Sequence, residues 1–389
     1  MTTWLVPPGF LLARAGGRVR VHDVWSGASL ELEGAAAEAA TASPCAPRSA
    51  LDTMSRFEPT GVLAALGQAL DKHPPRPLTR AALLRGDGYD QLFVELTARC
   101  NERCKHCYAD SSPERSEALS EREVEGALCD AAELGFVRVQ LTGGDPLISE
   151  LCVPAAQRAV SLGIPEVEVY TNGLALIGRT YDQLATLGVR FAFSFYSHDG
   201  ATHDAITRTP GSHRRTLAAI RRAAGDGLTV RASVIVMDEN RDDLEPTIAL
   251  LRDAGVPERA IGADVQRTVG RGLMTIRPKE AQLERVLPRA NAGHRAQDSG
   301  DDRLSTDRSG RAAVAYDGTI YPCIFSRAFP LGRLSQQRLR DVLLDDTPLT
   351  VDLEQLSREY SARQAQLACW DCRLRATVLG MQPQDKVSS

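Results

Sequence analysis

The chain has 389 residues, 43% of them hydrophobic, with a formal net charge of −4 and a pI near 6.0. That length exceeds one ordinary domain. The acidic balance excludes a general nucleic-acid binder. No apolar run reaches membrane-spanning length, and the opening MTTWLVPPGFLL lacks the basic start of a signal peptide. Nine cysteines, mostly clustered in a chain without an export signal, read as metal ligands rather than disulfides. The expectation is a cytoplasmic, oxygen-sensitive protein.

Residues 1–72 read as a small winged-helix-like α+β module. Phe10–Arg14, Arg18–His22 and Ser29–Leu32 alternate like short strands, with Gly16-Gly17 and Ser26-Gly27 at the turns. An Ala-rich helix runs from Glu33 to about Ala42, and a second from Gly61 to Asp71 puts Leu63, Leu66 and Leu70 on one stripe. His73-Pro74-Pro75-Arg76-Pro77 opens a semi-rigid linker over 73–88. From 89 to 298, strands and helices alternate. Strands are expected at Gln91–Leu96, Val137–Thr142, Glu166–Thr171, Val189–Ser194, Thr229–Val236 and Ile261–Val265. Ser120 and Glu123 form a capping box before the first intervening helix. Six such repeats imply parallel strands joined by right-handed crossovers. Residues 299–389 form a closing segment.

The first of these strands runs into Cys100, Cys104 and Cys107, spaced C-x3-C-x2-C. Three thiolates can hold three irons of a cubane cluster, which is normally held by four, and leave the last iron open. A structural zinc site is the alternative for the loop taken alone. Thr142-Gly143-Gly144-Asp145-Pro146 follows the second strand, where paired glycines let the backbone approach a ligand closely. Thr171-Asn172-Gly173 ends the third strand and Ser194 the fourth; His203-Asp204 and Arg208 follow. Arg231 and Ser233 share one side of the fifth strand. Gln266-Arg267 and Gly270-Arg271-Gly272 end the sixth.

These motifs, in this order, resemble the radical S-adenosylmethionine (SAM) superfamily, and Asn101 with Tyr108-Ala109-Asp110 resembles its peptide-modifying branch. The resemblance implies a partial (β/α)6 TIM barrel with its chemistry on loops at the strands' C-terminal ends. It implies a [4Fe-4S] cluster on Cys100, Cys104 and Cys107, with SAM on the open iron. Gly143, Gly144, Asp145, Asn172, Ser194 and Arg208 are then the SAM-binding residues. Asp145 departs from the family's G-G-E-P, shortening that side chain. A reduced cluster would cleave SAM to a 5′-deoxyadenosyl radical, the cofactor carrying the hard chemistry. An electron donor such as flavodoxin or ferredoxin is implied.

Gly318-x4-Cys323 and Cys369-x2-Cys372 resemble the SPASM/Twitch extension, which holds auxiliary clusters. An Asp317-Gly318 turn would aim Cys323 inward. The cysteine that the family places before that glycine is missing, as are those after the C-x2-C pair. One auxiliary [4Fe-4S] cluster on Cys323, Cys369 and Cys372 is expected, its fourth position open or filled by Asp307. A zinc site, or an extension without metal, is the alternative. Cys45, Cys129 and Cys152 read as buried structural thiols. The N-terminal module resembles the PqqD-like element that binds a leader peptide by strand addition; an inert packing wing is the alternative. The favoured reading is a RiPP maturase acting at carbon on a ribosomally made precursor peptide. The alternatives are a Twitch-type small-molecule dehydrogenase, a sulfatase-maturing-like enzyme (disfavoured by Ile324 after Cys323, where relatives carry an acidic base) and a non-catalytic scaffold. The general acid or base is unassigned, with Asp307, Tyr316 and Arg267 as candidates.

Overall fold

The computed structural model describes residues 3–6, 10–15, 17–23, 28–41, 51, 54–56, 58, 61–72, 75–79, 88–266, 269–274, 310–327 and 329–349. They fall into two compact units. One takes its described residues from 1–86, 326–331 and 341–389; the other from 87–325 and 332–340.

In the first unit, alternation makes strands as expected. β1 (Thr3–Val6), β2 (Phe10–Ala15), β3 (Arg18–Asp23), β4 (Ser29–Leu32), α1 (Gly34–Thr41), α2 (Val62–Lys72) and β5 (Arg76–Pro77) follow one another. The sheet order is β4-β3-β2-β1-β5, with antiparallel neighbours. Leu12, Val19, Val21 and Leu32 form a core with Ala37 and Ala40 of α1 and with Leu63, Leu66 and Leu70 of α2. The proline-rich spacer is partly a strand: Trp4 pairs with Pro77 and Leu5 with Arg76. Proline gives no N–H, so it is tolerated at such an edge. Beyond it, the Leu349 N–H donates to the Leu78 carbonyl at 2.7 Å, and Thr79 bridges to Pro348.

The second unit is an α/β fold. β6 (Tyr89–Thr97), α3 (Glu121–Glu133), β7 (Arg138–Gly143), α4 (Cys152–Ser161), β8 (Glu166–Thr171), α5 (Gly178–Thr186) and β9 (Arg190–Ser194) come first. α6 (Gly200–Thr207), α7 (Ser212–Gly225), β10 (Val230–Val236), α8 (Leu244–Asp253) and β11 (Ile261–Val265) complete the repeats. α6 went unread because its Gly-Ala-Thr-His-Asp start shows no apolar stripe. The six strands lie in sequence order, each parallel to the next, as in a partial (β/α)6 barrel. The Ser120–Glu123 capping box starts α3, with Ser120 N–H donating to Glu123 Oε2 at 2.8 Å.

The sheet continues past β6. β12 (Gly310–Val314) pairs parallel with it, and β13 (Thr319–Tyr321) and β14 (Gly332–Arg333) follow antiparallel. The Asp317-Gly318 turn joins β12 to β13, with Gly318 at φ +79°.

Strand periodicity sorts the side chains. Leu92, Val94, Val139, Leu141, Val167, Val169, Phe191 and Phe193 line one face. The other face carries Gln91, Glu95, Gln140, Glu168 and Arg231, all buried. There Arg231 grips Glu168 with Nε and Nη2, each at 2.7 Å, while Gln140 Nε2 donates to the same carboxylate. Burial alone would raise Glu168, but the Arg231 charge and these hydrogen bonds bring it below its usual range.

Candidate active site: the cysteine loop at the ends of the parallel strands

The loop carrying Cys100, Cys104 and Cys107 leaves the C-terminal end of β6 and is held from several sides. The N–H groups of Arg103 and Lys105 donate to the carbonyls of Thr207 and Ile206 at the end of α6, at 3.1 and 3.0 Å. The Cys100 N–H donates to Ser112 O at 3.1 Å, and the Ser111 N–H reaches Cys107 Sγ at 3.4 Å. Gly143 and Gly144 bring the end of β7 directly beneath. A Cβ on Gly144 would stand 1.9 Å from the Arg99 carbonyl oxygen, and one on Gly143 2.5 Å from that of Thr97. Only residues without side chains permit that approach.

Asp145, the acidic residue of the Gly-Gly-Asp-Pro turn, is engaged within the protein. It is fully buried. Oδ2 accepts from Thr171 Oγ1 at 2.7 Å and the Asn172 N–H at 2.9 Å, while Oδ1 accepts from the Leu147 N–H at 3.0 Å. Its shorter side chain is spent joining the turn after β7 to the end of β8. Asn172, set by that contact, donates through Nδ2 to Asn101 Oδ1 at 2.6 Å and lies 3.9 Å from Cys100 Sγ. The Gly-Gly turn, the Asn172 turn and the first cysteine therefore meet at one place.

A second buried network reaches the middle cysteine. The Tyr196 N–H donates to His203 Nδ1 at 3.3 Å, so the imidazole proton sits on Nε2, facing Ser212 Oγ at 3.3 Å. Ser212 in turn donates to Glu102 Oε1 at 2.5 Å, and the Cys104 thiol donates to Glu102 Oε2 at 3.4 Å. Burial pushes Glu102 up to about 7, against the Ser212 and Cys104 hydrogen bonds. The same cause lowers His203 to about 3 and His106 to about 4, with the Arg271 charge adding to the effect on His106.

The donor set fits an iron–sulfur cluster. Burial raises the Cys100 and Cys104 thiols above their ordinary range, so they become thiolates here only beside a compensating cation. Among the described residues, no three His, Cys, Asp or Glu side chains gather as for a single metal ion.

The other expected residues are spread more widely. Ser194 Oγ donates to the Tyr170 hydroxyl at 3.3 Å. Arg208 is an exposed left-handed residue closing α6, at φ +53°. Arg231 is engaged with Glu168. Cys323, 7% exposed, is packed in a cluster with Phe93, Ala313 and Ile324, against which Tyr108, Tyr321 and Phe325 lie. Tyr316 accepts from Arg115 Nη2 at 3.2 Å. Cys369, Cys372, Asp307, Arg267 and Cys45 lie outside the described residues. Cys152 is buried, but Cys129 is half-buried, its sulfur 3.4 Å from both Glu125 and Arg158. The sequence does not mark Glu102 as a site residue, and it marks Arg271 only as part of the loop ending the sixth strand. Their partners lie 110 and 160–167 residues away, and no local pattern marks such contacts.

Residues 94–251 match the family described as the Radical SAM superfamily. The chain is 30% identical over 195 residues to a pre-heme d1 synthase of Dinoroseobacter shibae, covering 49% of this chain and 46% of that protein. It is 27% identical over 201 residues to the antilisterial bacteriocin subtilosin biosynthesis protein AlbA of Bacillus subtilis, covering 49% and 43%. These matches span less than half the length of either relative. Streptococcus suis SuiB, crystallised bound to the precursor peptide SuiA, shares the fold at 12% identity and a TM-score of 0.54, over 88% of this chain and 89% of that one. Among the described residues no helix is long and apolar enough to cross a membrane. The cysteine loop and the glycine pair behind it thus lie within the stretch, residues 94–251, that matches the Radical SAM superfamily domain.

Proposed function

We propose that this protein is a radical SAM maturase of a ribosomally made precursor peptide. The carrying observation is the first unit. It is a five-stranded sheet in which residues 348–349 bond to Leu78 and Thr79 just after β5, and among the described residues β4 stands at the other end of the sheet order. Such an edge takes an extended peptide by strand addition, with main-chain hydrogen bonds giving affinity. The similarity to AlbA, the subtilosin biosynthesis protein, supports the same reading.

In this reading Cys100, Cys104 and Cys107 hold a [4Fe-4S] cluster, and Gly143, Gly144, Asn172 and Ser194 offer backbone and side-chain groups to SAM. Asp145 acts by fixing the Asn172 turn. Cluster and SAM together supply hydrogen-atom abstraction from an unactivated carbon. The chain's own residues orient the cofactor and exclude water. Cys323, with Cys369 and Cys372, holds one auxiliary cluster, and a flavodoxin or ferredoxin delivers the electrons.

The test is binding of a synthetic leader peptide to the full chain, followed by mass spectrometry of the precursor after co-expression. Leader-dependent binding and a mass change confined to the precursor are expected. Equal affinity for a scrambled leader would overturn the peptide reading. The similarity to a pre-heme d1 synthase favours one other reading, a small-molecule substrate. 5′-Deoxyadenosine formation stimulated by a tetrapyrrole rather than a peptide would select it.

A further inference from the structure

The cysteine loop is fastened from a part of the chain that its motif does not include. After β11 the chain makes a 3-10 turn over Gly270–Met274. Arg271 in that turn gives four hydrogen bonds to the loop. Its backbone N–H donates to Cys107 O at 3.0 Å and its Nε to Cys104 O at 2.9 Å. Nη1 donates to Asp110 Oδ1 at 2.9 Å, and Nη2 to Ser111 O at 2.7 Å. Two of these four acceptors are the carbonyls of the proposed ligand residues themselves. Gly270 makes the approach possible. It sits at φ +58°, and a Cβ there would stand 2.4 Å from Tyr108 O and 2.5 Å from Cys107 O.

The loop is thus held in two complementary ways. Its N–H groups at 103 and 105 are taken by the α6 carbonyls, and its carbonyls at 104, 107 and 111 by Arg271. At Cys107 both flanking peptides are held, its N–H on the Cys104 carbonyl at 3.4 Å and its carbonyl by the Arg271 N–H. At Cys104 the following peptide is held at both edges, its carbonyl by Arg271 Nε and its N–H by Ile206 O. Together these contacts fix the direction in which the thiols leave the backbone. The planar guanidinium fork suits this task, and a lysine, as a point charge, does not. The side chain is 23% exposed, so its charge is only partly screened by water.

We propose that Arg271, admitted by Gly270, is the positioning residue of the SAM-cleaving cluster. It sets the geometry of Cys104 and Cys107 and places a fixed positive charge beside the cluster. This rests on the reading of Cys100, Cys104 and Cys107 as cluster ligands. Groups that support ligands from behind typically change metal affinity about tenfold to a hundredfold when removed.

The test compares unaltered protein with R271Q, R271K and R271A. All are reconstituted with iron and sulfide and read without turnover: bound iron, the electron paramagnetic resonance signal of the reduced cluster, its change on adding SAM, and its midpoint potential. In R271Q, about a tenfold loss of the SAM-responsive signal is expected, with the far-ultraviolet circular dichroism retained and the remaining cluster harder to reduce. R271K is expected to restore the potential but not the signal, because it keeps the charge and loses the fork. Added guanidinium ions should restore signal to R271A. R115Q, which removes a more peripheral contact to the Asp110 carbonyl, should leave the signal unchanged. If R271Q fails to fold, R271K carries the test alone. A SAM-responsive signal and potential in R271K and R271Q equal to those of the unaltered protein would overturn the proposal. Absence of any SAM-responsive signal in the unaltered protein would instead overturn the assignment of the three cysteines.

Discussion

The two units bury different things. The core of the N-terminal sheet is alanine, leucine and valine, and its buried polar residues among those described are Thr3, His22 and Asp23. The radical SAM unit buries Glu95, Glu102, Gln140, Asp145, Glu168, His203 and Arg231. Buried charge is retained only where it is paired and hydrogen-bonded. Here the pairing ties loops from distant strands to one another. The first unit therefore holds its shape mainly by apolar packing. The second spends buried polar groups on fixing a small set of atoms in place.

Removing a ligand cysteine should have the largest effect. Cys104→Ala is expected to keep the fold and lose all 5′-deoxyadenosine formation, assayed by chromatography of the reduced, reconstituted protein; retained cleavage would refute the cluster assignment. Bound iron gives a companion measurement. With the auxiliary cluster present, about eight irons per chain are expected, and four would remove it.

The buried pair comes next. Arg231→Met strands Glu168 in the interior and should cost about 3–5 kcal/mol, read as a fall in denaturant midpoint. Adding Glu168→Leu should recover most of that loss. Glu168 is held below its usual range in the folded state. Its stabilising contribution is therefore fully present above the ordinary carboxylate pKa and is lost as pH falls through the depressed folded value. Gly144→Ala, which drives a Cβ into the Arg99 carbonyl, should cost about 1–3 kcal/mol. It should also abolish the SAM-induced spectral change, which the Arg231 variants need not do.

Two effects belong to the first unit. His22 links β3 to β4 through Ser29 Oγ at 2.9 Å, and burial, opposed by Asp23, lowers it to about 4 from 6.5. Its neutral form is favoured in the folded state, so its contribution is full above pH 6.5 and declines as pH falls toward 4. That loss is on the order of 3 kcal/mol. A chain with His22→Gln should show a flatter stability profile over the same window. The exposed ladder of Arg18 and Arg20 on Glu31 should matter least. Glu31→Ala is expected to change stability by less than about 1 kcal/mol.

The six strands and their order are legible because short segments with apolar residues at every second position recur between helical segments. The glycine pair was legible because its spacing from the cysteines is local. The sequence does not show where a polar side chain goes once its strand is built. The motif marks Asp145 but not its partners, Thr171 and Asn172, which come from the next strand end. Arg231 and Ser233 were placed on one face by their two-residue period, but the carboxylate that claims Arg231 comes from β8, 63 residues earlier. β1 and β5 escaped because both are short and lie beside prolines, where pattern alone favours a loop.

The parallel pairing of β12 with β6 has a consequence for how the molecule is made. The strand that launches the cysteine loop is completed on one side by β7, its immediate successor in the chain. On the other side it waits for a partner more than two hundred residues downstream. Pairings of such sequence separation form late, since loop-closure entropy is lost before the contact returns anything. During synthesis the nascent loop therefore leads from a half-covered strand. A chain truncated before Gly310, which lacks this pairing, should unfold at a lower denaturant midpoint than the full chain.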